Sequence, residues 1–102
     1  MKECCKTYLN EQFGDDADIV GEIYAEYVSS VNAKISEAVV SLDGGEWDSL
    51  DKVAHTIKGN ALAAGDQEMS STAIALRMAA KLHESGQAAE LIDKLKGFAS
   101  AL

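Results

Sequence analysis

The chain has 102 residues, enough for one domain with a single modest core, and its 47% hydrophobic and 25% charged residues suit a soluble globular protein. Nine Lys and Arg against seventeen Asp and Glu give a formal charge of -8. Such a surface repels phosphate backbones and anionic lipid, which disfavours nucleic-acid and membrane-surface partners; it suits solubility or a partner with a positive docking face.

The start Met1-Lys2-Glu3-Cys4-Cys5 carries charge and no apolar run long enough for a signal peptide. No stretch approaches the roughly 20 apolar residues of a membrane span. A cytoplasmic protein with reduced thiols is expected. Cys4 and Cys5 are adjacent and lack a second pair to complete a zinc site, so they read as a frayed or half-packed terminus.

Proline is absent, and the breaks fall at Gly14, Gly44-Gly45, Gly65 and Gly86. They mark a short first segment and four longer ones. The first, about Lys2 to Gln12, holds Tyr8 and Leu9 with Phe13 behind them, as in a short lid helix. Asp15-Asp16-Ala17-Asp18 then offers N-cap candidates and carboxylates favoured by the helix dipole. Val20, Ile23, Tyr27, Val31, Ile35, Ala38 and Leu42 follow at steps of three and four, one face of a long helix ending near Gly44.

The third segment runs from about Glu46-Trp47 to Ala64, with Trp47, Leu50, Ala54, Ile57 and Ala61 as its stripe. Asp66 is placed to cap the fourth, in which Met69, Ala73, Leu76 and Ala80 form one stripe. Ile74 and Met78 lie on that helix's other side, facing a second neighbour or forming an exposed apolar patch. Gly86 reads as its C-terminal stop. The last segment carries Leu91, Ile92, Leu95, Phe98 and Leu102. The whole, residues 1–102, reads as a single all-α domain: an antiparallel up-down-up-down four-helix bundle with a short N-terminal helix.

The run Ala54-His55-Thr56-Ile57-Lys58-Gly59-Asn60-Ala61 carries the chemistry. A helix-interior glycine costs about 1 kcal/mol against alanine, so Gly59 needs a reason beyond helix stability. With Leu50 at zero on a helical wheel, Ala54, Ile57 and Ala61 fall within about 40° of it and face the core. His55 falls near 140°, Gly59 near 180° and Leu62 near 120°, with Asp48 and Asp51 on the same outer arc. His55 is therefore expected to face solvent beside a glycine and a leucine.

An exposed neutral imidazole can accept a metal, accept a proton or attack an electrophile. Metal binding lacks ligands: His83 is the only other histidine, and no His-x-x-x-His or His-Glu-x-x-His pair exists. General-base catalysis needs a cleft with an orienting carboxylate, and Asp51 one turn away on an open helix makes none. Attack on a phosphoryl group brought by another protein needs less. It requires an exposed nitrogen, the room Gly59 leaves, and a cation such as Lys58 near the phosphate.

The same run resembles the signature of histidine-containing phosphotransfer (HPt) domains, a His-x-Leu-Lys-Gly-Ser-type sequence that holds the phosphorylated histidine. The likeness extends to Gly65, to Ala73 and Leu76 on the following helix, and to Asp15-Asp16. It implies a phosphocarrier of a two-component phosphorelay rather than an enzyme. His55 would take a phosphoryl group from the phospho-aspartate of one receiver domain and give it to another. It implies that Lys58 neutralises the phosphohistidine and that Gly59 lets the receiver approach. Magnesium belongs to the receiver, and no cofactor is expected here, in keeping with the missing nucleotide-binding motif.

The implied partners are response-regulator receivers and a hybrid sensor histidine kinase, with Gly59, Leu62 and Ala63 as the docking patch. A monomer is the simplest state, since one histidine face must stay open. The chain reads as self-contained, with a piece of a larger sensor kinase as the alternative. Asn60 stands where the family commonly has serine, and Asp66 replaces a small or apolar residue. At Arg77 the family more often has Glu or Gln, which accepts a hydrogen bond from the imidazole's second nitrogen. A guanidinium only donates, so Arg77 is expected to contact the phosphoryl group on His55 or to set partner choice. The competing reading is a receiver-binding module without phosphoryl turnover.

Overall fold

The apolar stripes produce five helices and no strands: α1 (Glu3–Phe13), α2 (Ala17–Asp43), α3 (Trp47–Ala64), α4 (Gln67–Lys81) and α5 (Ser85–Ser100). The structure, a computed structural model, describes residues 1–102. Helices α2 to α5 each pack on their chain neighbour, α5 closes back on α2, and α1 lies against α2 and α3. The core between them is built of the expected residues Val20, Tyr27, Val31, Ile35, Ala38, Leu50, Ala54, Ile57, Ala61, Met69, Ala73, Leu76, Leu91, Ile92 and Leu95. Ala80, expected as well, and Tyr24, Ala64, Ala79, Ala88 and Ala99 are also buried in it.

Local chemistry sets the helix ends. The Asp16 carboxylate accepts from the Ile19 amide at 3.2 Å, and Asp66 accepts from the Met69 amide at 3.3 Å. Helices α2, α3 and α4 close with the same pair of reversed hydrogen bonds. After α2 the amides of Gly45 and Glu46 reach Leu42 O and Ser41 O at 3.0 and 2.9 Å. After α3 Gly65 and Asp66 reach Leu62 O and Ala61 O at 3.2 and 2.8 Å.

After α4 the pair is His83 to Ala80 O and Glu84 to Ala79 O, at 3.2 and 2.9 Å. His83, with φ 54, holds the left-handed position there, and Gly86 lies inside the first turn of α5. The expectation that Gly86 stops α4 is thus corrected. Histidine tolerates this conformation better than bulkier or β-branched residues do. Its ring also stacks on Trp47, with centroids 5.0 Å apart and planes 8° apart.

The first segment also departs from expectation. Cys5 and Leu9 are fully buried, so α1 is part of the core rather than a frayed end, while Phe13 is 47% exposed. What fixes α1 is a buried carboxylate. Asp66, 1% exposed in the turn between α3 and α4, accepts from Tyr27 Oη at 2.7 Å and from Lys2 Nζ at 2.7 Å. Lys2 also pairs with Glu68 at 3.2 Å, and its amide donates to Tyr24 Oη, which donates to Leu102 O, both at 3.1 Å.

The charge of Asp66 is felt by its neighbours. Burial, then the Asp66 charge and Cys4, push the Cys5 thiol up to about 12. Burial and the bond to Asp66 raise the Tyr27 phenol. Burial opposes the charge on Lys2, but its bonds to Asp66 and Glu68 outweigh this and its pKa rises.

Two outcomes are expected. Gly65 has φ 73, and a Cβ there would overlap the Tyr8 side chain of α1. Gly65→Ala should therefore cost about 2–4 kcal/mol in urea unfolding, combining left-handed strain with overpacking. The second concerns alkali. Cys5, Tyr27 and Lys2 hold protons when folded that the unfolded chain has released, so their contribution is complete at neutral pH and is lost as pH rises. For Cys5 the loss runs from its ordinary value of 9.0 to about 12. Tm should fall across that range, and in Cys5→Ala it should fall less steeply from that variant's own neutral value.

Candidate functional site

His55 sits near the middle of α3, on the face opposite Leu50, Ala54, Ile57 and Ala61. Those four side chains are fully buried and fix the rotation of the helix, and His55 is consequently exposed. Gly59, one turn on, is exposed as well, and a Cβ built there meets nothing within 4 Å. Packing inside the protein therefore does not require glycine at this position. Lys58, three residues on from His55, is half-buried and takes part in none of the ion pairs.

Arg77 crosses from α4 to this face. Its Nε donates to Asp51 Oδ1 at 2.8 Å, and its Nη1 lies 3.0 Å from His55 Nδ1. Asp51 and His55 are one turn apart on α3, so the guanidinium bridges both and pins α4 against the outer side of α3. A guanidinium has no acceptor, so Nδ1 accepts this hydrogen bond. The ring is thus held by donation to it, the reverse of the geometry a Glu or Gln would give. The sequence alone offered the pairing of Arg77 with His55 only through the family position, and it gave no sign of Asp51 as the third member.

Asn60 Nδ2 donates to Ser30 Oγ of α2 at 2.9 Å, tying α3 to α2 beside the site. Leu62 and Ala63 are both exposed on the last turn of α3. On α4, Ile74 and Met78 flank Arg77 and are 49% and 56% exposed, while Leu62 is 54% exposed. Ile74 and Met78 thus form an exposed apolar border beside the arginine. No group of three or more His, Cys, Asp or Glu side chains converges as a metal would need. No helix is long and apolar enough to cross a membrane.

An exposed imidazole with one nitrogen covered by a guanidinium, a lysine outside every ion pair and a glycine with open space above it form an open face rather than a substrate pocket. The family model for the Hpt domain matches residues 22–102, from the second turn of α2 to the C-terminus, and takes in this whole face. The chain belongs to the Hpt domain family. Membership implies phosphotransfer in two-component signalling, with receiver domains as the interacting class, by a carrier rather than a classical enzyme. No curated protein and no solved structure matches the chain.

The open space at Gly59 has a measurable consequence. Gly59→Ala should stabilise the fold by about 1 kcal/mol in urea unfolding, the propensity gain of an alanine that collides with nothing. A loss of stability would mean that glycine is required by the fold itself.

Proposed function

We propose that this Hpt domain is a phosphorelay carrier in which His55 accepts a phosphoryl group from the phospho-aspartate of one receiver domain and passes it to another. The observation that carries the reading is the coincidence along α3 of an exposed imidazole, a lysine outside every ion pair and an exposed glycine with empty space above it.

Phosphoryl transfer asks mainly for positioning and charge stabilisation, because the protein has little covalent work to do beyond presenting the nucleophile. Nε2 is the nitrogen left for the reaction, since Nδ1 is covered by Arg77. Once Nε2 has given up its proton and Nδ1 carries one, the Nε2 lone pair attacks phosphorus, the bond to the receiver's carboxylate oxygen breaks, and the electron pair leaves on that carboxylate. Lys58 offsets the charge of the phosphoryl group on His55. Gly59 admits the receiver's catalytic loops, and Leu62, Ala63 and the α4 border of Ile74, Arg77 and Met78 form the docking surface. A transient partner on such a surface needs only a small interface. Magnesium is supplied by the receiver, and the carrier needs no cofactor of its own.

The residues at the two ends support an antiparallel up-down-up-down arrangement within one domain spanning 1–102. Lys2, Tyr24, Asp66 and Leu102 meet at one end, and Trp47 and His83 at the other, where Ser41 bonds Ser49 at 3.0 Å. A monomer with a cytoplasmic location leaves the His55 face open to receivers, including one within a hybrid kinase.

The test is transfer from receiver domains phosphorylated with a small acyl phosphate and magnesium. The carrier should acquire acid-labile, alkali-stable label, and His55→Gln should acquire none. Receiver binding without label transfer would overturn this reading in favour of a docking module.

A further inference from the structure

We propose that Arg77 is a latch on the accepting histidine, holding its ring in the tautomer that neither attacks nor releases phosphate until a partner displaces the guanidinium. This rests on the reading of His55 as the phosphoryl acceptor. The observation is the contact of Arg77 Nη1 with His55 Nδ1 at 3.0 Å, together with the anchoring of Arg77 Nε on Asp51 at 2.8 Å.

The consequence follows from counting protons on the ring. A guanidinium stays protonated and only donates, so Nδ1 must present its lone pair to Arg77. In the neutral imidazole the single N–H is then on Nε2. That nitrogen points away from Arg77 and is open to a receiver, but its in-plane lone pair is used in the N–H bond. Nδ1 has a free pair, but the guanidinium covers it. Both nitrogens are blocked, each for a different reason.

Attack from Nε2 requires that Nε2 give its proton to solvent and Nδ1 take one, which Arg77 must leave Nδ1 to permit. With the proton on Nδ1, the Nε2 pair forms the N–P bond as the P–O bond of the acyl phosphate breaks toward the receiver's carboxylate. The resulting ring is cationic until the Nδ1 proton passes to water. Arg77 can then donate to Nδ1 again, now beside the stored phosphoryl group.

The same contact slows discharge. When a receiver's carboxylate attacks phosphorus, the N–P pair returns to Nε2, and imidazole leaves as a neutral molecule only if Nδ1 has first been reprotonated. Arg77 competes with that proton. The latch is therefore kinetic and acts in both directions, and its natural release is the docking surface itself, since Ile74 and Met78 flank Arg77 on α4. Arg77 is a positioning residue: it acts through the ring.

Two measurements on the full chain test this. Ring ¹⁵N spectra of the free protein should show His55 with Nδ1 unprotonated and Nε2 protonated, and Arg77→Gln should shift the population toward the proton on Nδ1. Transfer from a phosphorylated receiver should be about tenfold faster in Arg77→Gln, corresponding to about 1.4 kcal/mol off the barrier. The phosphorylated variant should also lose its label to water faster. Arg77→Ala should accelerate both steps as well, and matching thermal unfolding separates these effects from damage to the fold.

A wild-type ring already protonated on Nδ1 would overturn the latch, as would label appearing on His55 at the same rate with and without Arg77. Label on Arg77→Gln and none on wild type would support it in its strongest form. Label on neither protein would overturn the carrier reading, and the latch with it.

Discussion

The buried carboxylate of Asp66 holds the architecture at one end. It lies in the α3–α4 turn, caps α4 through the Met69 amide, and takes donors from α2 and from Lys2, the residue just before α1. Removing one partner from a buried charged pair costs about 3–5 kcal/mol, because the remaining charge is stranded. Four of the five helices therefore share one electrostatic node, and its partners are all donors, as a carboxylate demands. Gly65, next to it, brings the turn close enough for Tyr8 of α1 to cover the backbone. The node thus sets the relative position of α3 and α4 at the end of α3 beyond His55.

The far end is held differently. Stacking of Trp47 on His83 joins the start of α3 to the end of α4, with no charge buried. Between these two clamps α3 and α4 run side by side, and the Asp51–Arg77–His55 bridge spans them in the middle. Such a bridge needs fixed helices to be geometrically defined, because an exposed ion pair alone is worth only about 0–1 kcal/mol. The order of dependence is from ends to centre: rigid closures fix the helix pair, and the pair fixes a weak contact with chemical consequences.

Much of this was written in residue spacing. The steps of three and four identified every long helix, and the wheel placed His55 outward because Leu50, Ala54, Ile57 and Ala61 leave α3 no other rotation. What spacing did not carry is depth and partnership. Asp66 was legible as a cap, but its burial depends on Lys2 and Tyr27, 64 and 39 positions away. Cys5 looked like a loose terminus because α1 is short and nothing local reveals that Lys2 is tied down. His83 carries no local signal as a helix stop, since glycine is the usual one, and the stacking that steadies it comes from Trp47. At the site, donors and acceptors can be tabulated from sequence, but which ring nitrogen faces Arg77 is a matter of geometry.

The electrostatics of the site run against those of the protein. The chain carries a formal charge of -8, yet Arg77 lies 3.0 Å from the imidazole and Lys58 follows three residues on along α3. These two cations are not equivalent. Arg77 is partly neutralised by Asp51 and directed at a ring nitrogen, so it governs the proton inventory of His55. Lys58 has no carboxylate partner and a flexible stem, so its charge is not neutralised within the protein. Substituting one for the other would keep the net charge and lose the division of labour. On the carrier reading, an acidic surface with this small basic centre attracts phosphoryl charge only at the position where a nucleophile waits, and the guanidinium decides when that nucleophile has a lone pair to use.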